Sequence, residues 1–551
     1  MSSKMSRLIF RVPVYESYKS EVLHMMKKLL FLSLPLLLSC AGGFSDSSSH
    51  APERALKKIT EEKIRRHVDY LASDALMGRD TPSPGLEQAA RYIASRFQAF
   101  GLQPVRESWY APFALGKIRL GPDNSLRVAS AGDTLSFRIK KDFMPFAGTA
   151  DRSISAGVVF AGYGISAPEH GYDDYAGIDV QGKIVLVFRH EPGEKDPASP
   201  FDGRKASDYS QTKYKIQNAI DHGAAGVLII QDPLHHRRLK ARGFPWPSLY
   251  KHIPRDAVPL TLVSTSSNKI PAVEISEKVL PALQLSKSEL KKWQQQIDES
   301  MTPASRELPG VTVMLRTSTD ADIISVNNVA GLLPGSDPVL RDEVVVAGAH
   351  YDHVGHQTGV PAEQDSIFNG ADDNASGTSL LLALAEAAGS LKQAPKRSIL
   401  FIAFAAEEKG LLGSRAYVDA PLFPLEKTVA MLNFDMVGRN SPDTVSVCGT
   451  TRSPDLIRIN EEENRAVGLH LKYDIENLFM RSDQASFARH KIPFLFYSSN
   501  LHPDYHKVSD HADKINAEKI ARIGRLGFRV LMRIADSSEY YRFTEPGEKK
   551  K

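Results

Sequence analysis

Between Ala347 and Gly438 the chain places His350, the pair Asp372–Asp373, the pair Glu407–Glu408, and Asp435. Imidazole nitrogens and carboxylate oxygens are the donor types of a catalytic zinc site, which also keeps one position open for water. Two divalent ions about 3.5–4 Å apart need a carboxylate that bridges them, and together they clamp nucleophile and substrate oxygen. A further histidine is available from the polar loop that holds His502, His506 and His511. The chemistry implied is metal-assisted hydrolysis. Spacing alone does not choose between Asp372 and Asp373, between Glu407 and Glu408, or between His350 and its neighbours His353 and His356.

Such ligands are far apart in sequence, so strands must bring them together. Val344–Ala349, Ile399–Ala406 and Val429–Phe434 are short, continuous apolar runs. Runs of this kind predict parallel strands covered on both faces. Each stops at a chelating residue: His350, Glu407–Glu408 and Asp435. Open α/β sheets bind ligands at the carboxyl ends of their strands, so the three strand ends are expected to converge. Asp372 and Asp373 occupy a Gly-bounded turn before Gly377–Ala388, which is apolar nearly all round and predicts a buried helix. Ile492–Tyr497 predicts a further strand, and Ile520, Ile523, Val530 and Ile534 mark a closing amphipathic helix.

Other chemistries lack their signatures. There is no His-Glu-x-x-His helix and no Gly-x-Ser-x-Gly elbow. Gly162-Tyr-Gly-Ile-Ser-Ala167 fits a loose dinucleotide fingerprint, but Pro168 follows at once and no glycine-led helix opens. The net charge of +4 on 551 residues, without a basic run interleaved with aromatics, argues against nucleic acid as a partner. The two cysteines, Cys40 and Cys448, are too distant to form a disulfide framework. Cys448 follows a predicted strand and reads as a small buried hydrophobe.

Earlier in the chain, Met26–Cys40 has a basic start, a short apolar core and a small residue before cysteine. This is the form of a secretory signal peptide, too short to span a bilayer. Leu37-Leu38-Ser39-Cys40 resembles a bacterial lipobox, which implies cleavage before Cys40, lipidation of its thiol, and an exported, membrane-anchored protein on the periplasmic or cell-surface side. Residues 1–25 precede a better start at Met25 or Met26. Two helices are predicted next: Thr60–Asp74, with Thr60 as N-cap, and Leu86–Phe100, ending at Gly101. Arg79, in the turn between them, reads as a surface or packing residue. Gly157–Ala161, Ile184–Phe188 and Gly226–Ile230 predict strands of a β-rich insert, with a polar segment at 190–204, a helix at Lys213–Asp221 and a surface helix at Ser288–Ile297.

The motifs AGAHYDH, NGADDNASG, FAAEEKGLLGS, LNFDMVG, SDQASF and DYHKVSDH, in this order over roughly 345–515, closely resemble the di-zinc aminopeptidase family, whose relatives include glutamate carboxypeptidase and glutaminyl cyclase. The resemblance implies a mixed, largely parallel α/β sheet flanked by helices, with a protease-associated insert. The corresponding boundaries are a leader over 1–40, a tether over 41–58, an N-terminal part of the peptidase domain over 59–150, the insert over 155–305 and the catalytic domain over 320–540. It further implies two zinc ions, one held by His350, Asp373 and Asp435, the other by Asp373, Glu408 and His506. Cobalt or manganese could occupy the same ligands. Asp352 matches the carboxylate that orients the first metal histidine, Glu407 the general base, and Asp510 a carboxylate near the last histidine. The implied activity is removal of N-terminal residues from peptides through a metal-bridging hydroxide. A carboxypeptidase of the same family and an inactive receptor-like protein are the alternatives; such receptors lose ligands, whereas all the matching positions here are filled.

Overall fold

The computed structural model describes residues 53–201, 203, 206–243, 258–263 and 269–545. The leader, Cys40 and residues 41–52 of the tether lie outside the described residues, but the tether's end is not a free linker: Glu53–Leu56 is a short helix whose Ala55 and Leu56 are buried in the core of the larger sheet. Two sheets dominate. The larger has nine strands among the described residues. Its centre is four parallel strands in the spatial order Ser398–Phe404, Val344–His350, Thr428–Phe434 and Phe494–Ser498. Antiparallel pairs flank this centre: Thr319–Leu333 on one side and Thr444–Cys448 on the other. The sheet is therefore mixed, and its parallel part is the part that carries the predicted ligands.

The three ligand-bearing strands are buried along their whole length. Side chains alternate between faces, so Val345, Ala347 and Ala349 enter one core while Val344 and Val346 enter the other. The first core is closed by the helices Glu61–Leu71, Pro84–Ala99, Gly377–Gly389 and Ala517–Asp536. The second is closed by Leu412–Asp419 and Gln484–Ala488. Helix starts follow their capping residues. Thr60 accepts from Lys63 N, Ser83 from Leu86 N with Pro84 next to it, and Asn516 from Lys519 N. Each cap satisfies one otherwise unpaired amide of the first turn.

The smaller sheet has, among the described residues, eight strands in the order Asp133–Phe137, Ser125–Ser130, Arg306–Thr317, Arg152–Phe160, Ile184–Phe188, Gly226–Ile230, Ala272–Ile275 and Phe143–Pro145. It hangs from the larger one by a two-stranded ribbon. Tyr110–Leu120 leads out, Thr319–Leu333 returns, and Leu120 pairs with Thr319. The second sheet thus runs from Ser125 to Thr317, wider than the expected 155–305, and takes in strands that the sequence reading put with the N-terminal part of the peptidase domain. Those strands carry a weak signal: Asp133–Phe137 is almost wholly exposed. Leu260–Leu262 crosses back to pair with Tyr110–Leu120 at the edge of the larger sheet. No helix among the described residues is long and apolar enough to cross a membrane.

Candidate metal centre

The carboxyl ends of the parallel strands converge as the apolar runs predict. His350 is the last residue of its strand, Asp435 follows Phe434 directly, and Glu407 and Glu408 lie just beyond Phe404. Asp373 reaches them from the segment Ala371–Ser376 that opens the buried helix. Its two oxygens face two groups. Oδ1 is 3.3 Å from His350 Nε2, which is also 3.3 Å from Asp435 Oδ1. Oδ2 is 3.0 Å from His506 Nε2, which is 3.2 Å from Glu408 Oε2. Ligands about 2.0–2.2 Å from a tetrahedral zinc stand roughly 3.3–3.5 Å from one another. The donor set and its spacing therefore fit two zinc-sized ions sharing Asp373.

The backbone is bent to make this possible. Ala406, immediately before Glu407, Met436, immediately after Asp435, and His506 itself are left-handed, with φ of 57°, 59° and 54°. Non-glycine residues held there cost of order 1–3 kcal/mol each, and such positions cluster at active sites. Gly370 has φ 57° as well, and a Cβ there would stand 2.2 Å from Asp373 O and 2.5 Å from the His353 ring. Only glycine fits that approach.

Parts of the chain that build this geometry are shared with known proteins. Residues 328–531 match the profile described as Peptidase family M28, and residues 154–283 match the PA domain. Over the first stretch, which holds the centre, the chain is similar to peptidase family M28. The M28 match spans every ligand named above, and the PA match falls in the smaller sheet. Leupeptin-inactivating enzyme 1 of Streptomyces exfoliatus is 32% identical over 208 residues, 37% of this chain and 42% of that protein. Aminopeptidase YwaD of Bacillus subtilis is 30% identical over 198 residues, 34% of this chain and 40% of that protein. The chain thus spans less than half the length of these relatives. An aminopeptidase from Aneurinibacillus sp. strain AM-1 has 20% identity and a TM-score of 0.41, with 90% of this chain and 97% of that chain covered.

Around these converging side chains stands a layer of buried groups that aim them. Asp352 is fully buried. Its Oδ1 is 3.7 Å from His350 Nδ1 and accepts from Glu407 N at 3.1 Å, and its Oδ2 accepts from Thr81 Oγ1 at 3.3 Å. One carboxylate thus orients the first histidine and the loop bearing both glutamates. Asp510 Oδ2 accepts from Asp372 N at 2.9 Å and Asp373 N at 3.3 Å, which fixes the bridging residue. Asp372 points away: its Oδ1 accepts from Gly438 N at 2.6 Å and its Oδ2 lies 3.3 Å from His502 Nε2. The loop histidines are likewise separated, since His511 Nε2 pairs with Asp365 at 3.2 Å and only His506 enters the centre.

Two residues go beyond the expectation. His353 Nδ1 lies 2.8 Å from Glu408 Oε1 and 3.9 Å from Asp373 Oδ2, so it joins the second group. Nothing in its spacing distinguishes it from His356. Arg79 is neither a surface residue nor simple packing. It is fully buried, with its guanidinium donating to the carbonyls of Leu71, Tyr351, Asn369 and Gly370. It therefore ties the turn after His350 to the turn before Asp373. Burial pulls its pKa down to about 10, opposed by the carboxylates of Asp352, Asp373, Asp510 and Glu408. A left-handed run at Met77, Gly78 and Arg79, with φ of 47°, 70° and 50°, turns the side chain inward.

Glu407 is the acidic group left over from the two sets of ligands. Its Oε2 is 4.0 Å from His350 Nε2, and it lines a cleft with Asp373, Asp435, Arg481 and Tyr505. Burial holds its carboxyl well above the usual carboxylate range. His350 opposes this, while Glu408, Asp435 and Asp483 add to it. Apolar side chains, Met436, Leu478, Phe496 and Leu501, share the lining with Ser498 and Asn500.

Proposed function

We propose that this protein is a zinc-dependent exopeptidase that removes N-terminal residues from peptides. One observation carries the reading: Asp373 presents one oxygen to His350 and Asp435 and the other to His506 and Glu408, with the spare carboxylate of Glu407 beside them. The five donors would hold two zinc ions, with His353 supporting Glu408. Zinc bound there supplies Lewis acidity toward the scissile carbonyl and lowers the pKa of bound water.

The chain's own residues do the rest. Glu407 stands at the cleft with no metal to hold, so it is free to accept the proton of the attacking water and return it to the leaving amine. Asp352 keeps His350 in a single orientation and also holds the Glu407 backbone, so acid–base group and ligand move as one. The apolar part of the lining suits a hydrophobic side chain at the residue removed. YwaD carries aminopeptidase in its name, which agrees with this direction of cleavage.

A second reading rests on Arg481. It lines the cleft, and its guanidinium lies 3.4 Å from Tyr505 Oη. A carboxypeptidase needs a cation there for the terminal carboxylate. Free and N-acetylated dipeptide and aminoacyl substrates separate the two, with metal content measured on the same sample. Turnover that requires a free amine supports the aminopeptidase. Turnover of N-blocked peptides from the carboxyl end supports the second reading, and an empty, inactive centre supports a receptor-like protein. Export and lipid attachment at Cys40 are proposed from the lipobox-like sequence. Palmitate labelling that persists in Cys40→Ala would overturn them.

A further inference from the structure

The smaller sheet ends in a second group of histidines and carboxylates, outside the M28 centre. Arg152–Phe160, Ile184–Phe188, Gly226–Ile230 and Ala272–Ile275 run parallel. Phe188 and Ile230 are register partners, so His190 and Asp232, each two residues further on, emerge side by side at the carboxyl ends. Asp232 is fully buried. His190 Nδ1 touches its Oδ1. His235 Nδ1 is 3.1 Å and His236 Nε2 3.9 Å from its Oδ2. Glu194 Oε2 closes the group, 3.2 Å from His235 Nδ1 and 3.5 Å from His190 Nδ1. The ligand atoms of His190, Asp232 and His236 lie within 4.8 Å of one another, as do those of Glu194, Asp232 and His235.

Hydrogen bonding leaves this cluster incomplete. Glu194 Oε2 and His236 Nε2 are buried, and no hydrogen bond among the described residues satisfies either. Buried polar atoms in native proteins are almost always paired, and each of these two belongs to one of the overlapping triads that share Asp232. His235 Nδ1 and His236 Nε2 stand 3.1 and 3.9 Å from Asp232 Oδ2, and Glu194 Oε2 3.2 Å from His235 Nδ1, around the separation of ligands sharing a zinc-sized ion, while His190 Nδ1 is hydrogen-bonded to Asp232 Oδ1. A donor set in which imidazoles outnumber carboxylates selects zinc, copper or nickel over calcium and magnesium.

We propose that Asp232, His190, His235, His236 and Glu194 form a closed structural site for a divalent cation of the zinc class. The five side chains come from two loops following adjacent strands. Both loops also lean on the helix Lys287–Ser300, through Gly193 N to Asp298 at 3.2 Å and Leu234 N to Gln294 at 2.7 Å. The helix also reaches the cluster itself, since Gln294 Nε2 lies 3.5 Å from His235 Nδ1, and the ion would join the two loops directly to each other.

The test uses the full chain, zinc as the probe, and elemental analysis after dialysis. In an Asp373→Ala/Glu408→Ala background, which removes shared ligands of the M28 centre, about one zinc per chain is expected to remain. Adding Asp232→Asn removes it. Equal zinc with and without Asp232→Asn would overturn the site, whatever the M28 centre binds. If Asp232→Asn does not fold, cobalt titration of the Asp373→Ala/Glu408→Ala chain replaces it. A visible absorption band saturating at about one equivalent supports the site, and its absence overturns it.

Discussion

The two sheets solve the same geometric problem and put the solution to different uses. In each, neighbouring parallel strands in register end in a histidine and a carboxylate: His350 beside Asp435 in the larger sheet, His190 beside Asp232 in the smaller. Each collects further donors from loops. The difference lies in what surrounds them. The M28 centre has a spare acid, Glu407, a partly apolar cleft, and left-handed backbone at Ala406, Met436 and His506. The smaller sheet's cluster puts both of its carboxylates among its imidazoles and leaves none over. Converging chelators make a metal site; an unengaged carboxylate beside an open cleft makes a catalyst.

The sharpest way to test that contrast is Glu407→Gln. The amide keeps the shape of the carboxylate but cannot take a proton. Turnover is expected to fall by about 10²–10⁴-fold with zinc content unchanged. Loss of zinc along with activity would make Glu407 a ligand, and the contrast between the two clusters would collapse.

Next in size is Arg79→Met. The change leaves the carbonyls of Leu71, Tyr351, Asn369 and Gly370 without their buried donor. Each uncovered group costs at least about 1 kcal/mol, so a loss of about 4 kcal/mol or more is expected in urea unfolding. A loss under about 1 kcal/mol would mean that water replaces the guanidinium. Asp352→Asn should act on the centre rather than on the fold. It lowers zinc affinity or turnover by about 10–100-fold, read by competition with a chelator, while the unfolding midpoint stays near that of the parent.

Much of the M28 centre was legible because parallel strands announce themselves. A strand covered on both faces is a short apolar run, and His350, Glu407–Glu408 and Asp435 stand where such runs stop. The loop ligand was not legible by the same logic. His502, His506 and His511 are equivalent on the page, and only the family resemblance singled out His506. Three-dimensional packing then shows why: His502 is spent on Asp372 and His511 on Asp365. Arg79 was missed because its burial depends on a left-handed turn that residue types do not encode. The insert's cluster was missed although it obeys the same rule, since Gly226–Ile230 is an apolar run followed by Gln-Asp-Pro-Leu-His-His. The polar segment at 190–204 hides the partner, and its register with the second loop exists only once the sheet has formed. The insert's limits were blurred because one edge strand, Asp133–Phe137, is almost wholly exposed and the other, Phe143–Pro145, is only three residues long.

The smallest expected effect concerns a histidine with no carboxylate beside it. His67 is buried on the helix Glu61–Leu71, its Nδ1 2.7 Å from Tyr92 Oη and its ring edge-on to Tyr92 and Phe100. Burial pulls its pKa down to about 4, and the cations Arg96, Arg66 and Lys63 add to this. The folded state therefore holds the neutral ring where the unfolded chain, near 6.5, takes up a proton. The stabilisation is present above pH 6.5 and is lost as the pH falls toward 4. Between about pH 7 and pH 5 this amounts to about 1–2 kcal/mol. His67→Phe keeps a neutral ring at every pH, so the parent should lose that much more stability than the variant over this interval. Parallel pH curves for the two would show that protonation of His67 is not what burial opposes. A histidine set among carboxylates holds a cation, whereas one set among aromatics and arginines only resists becoming one.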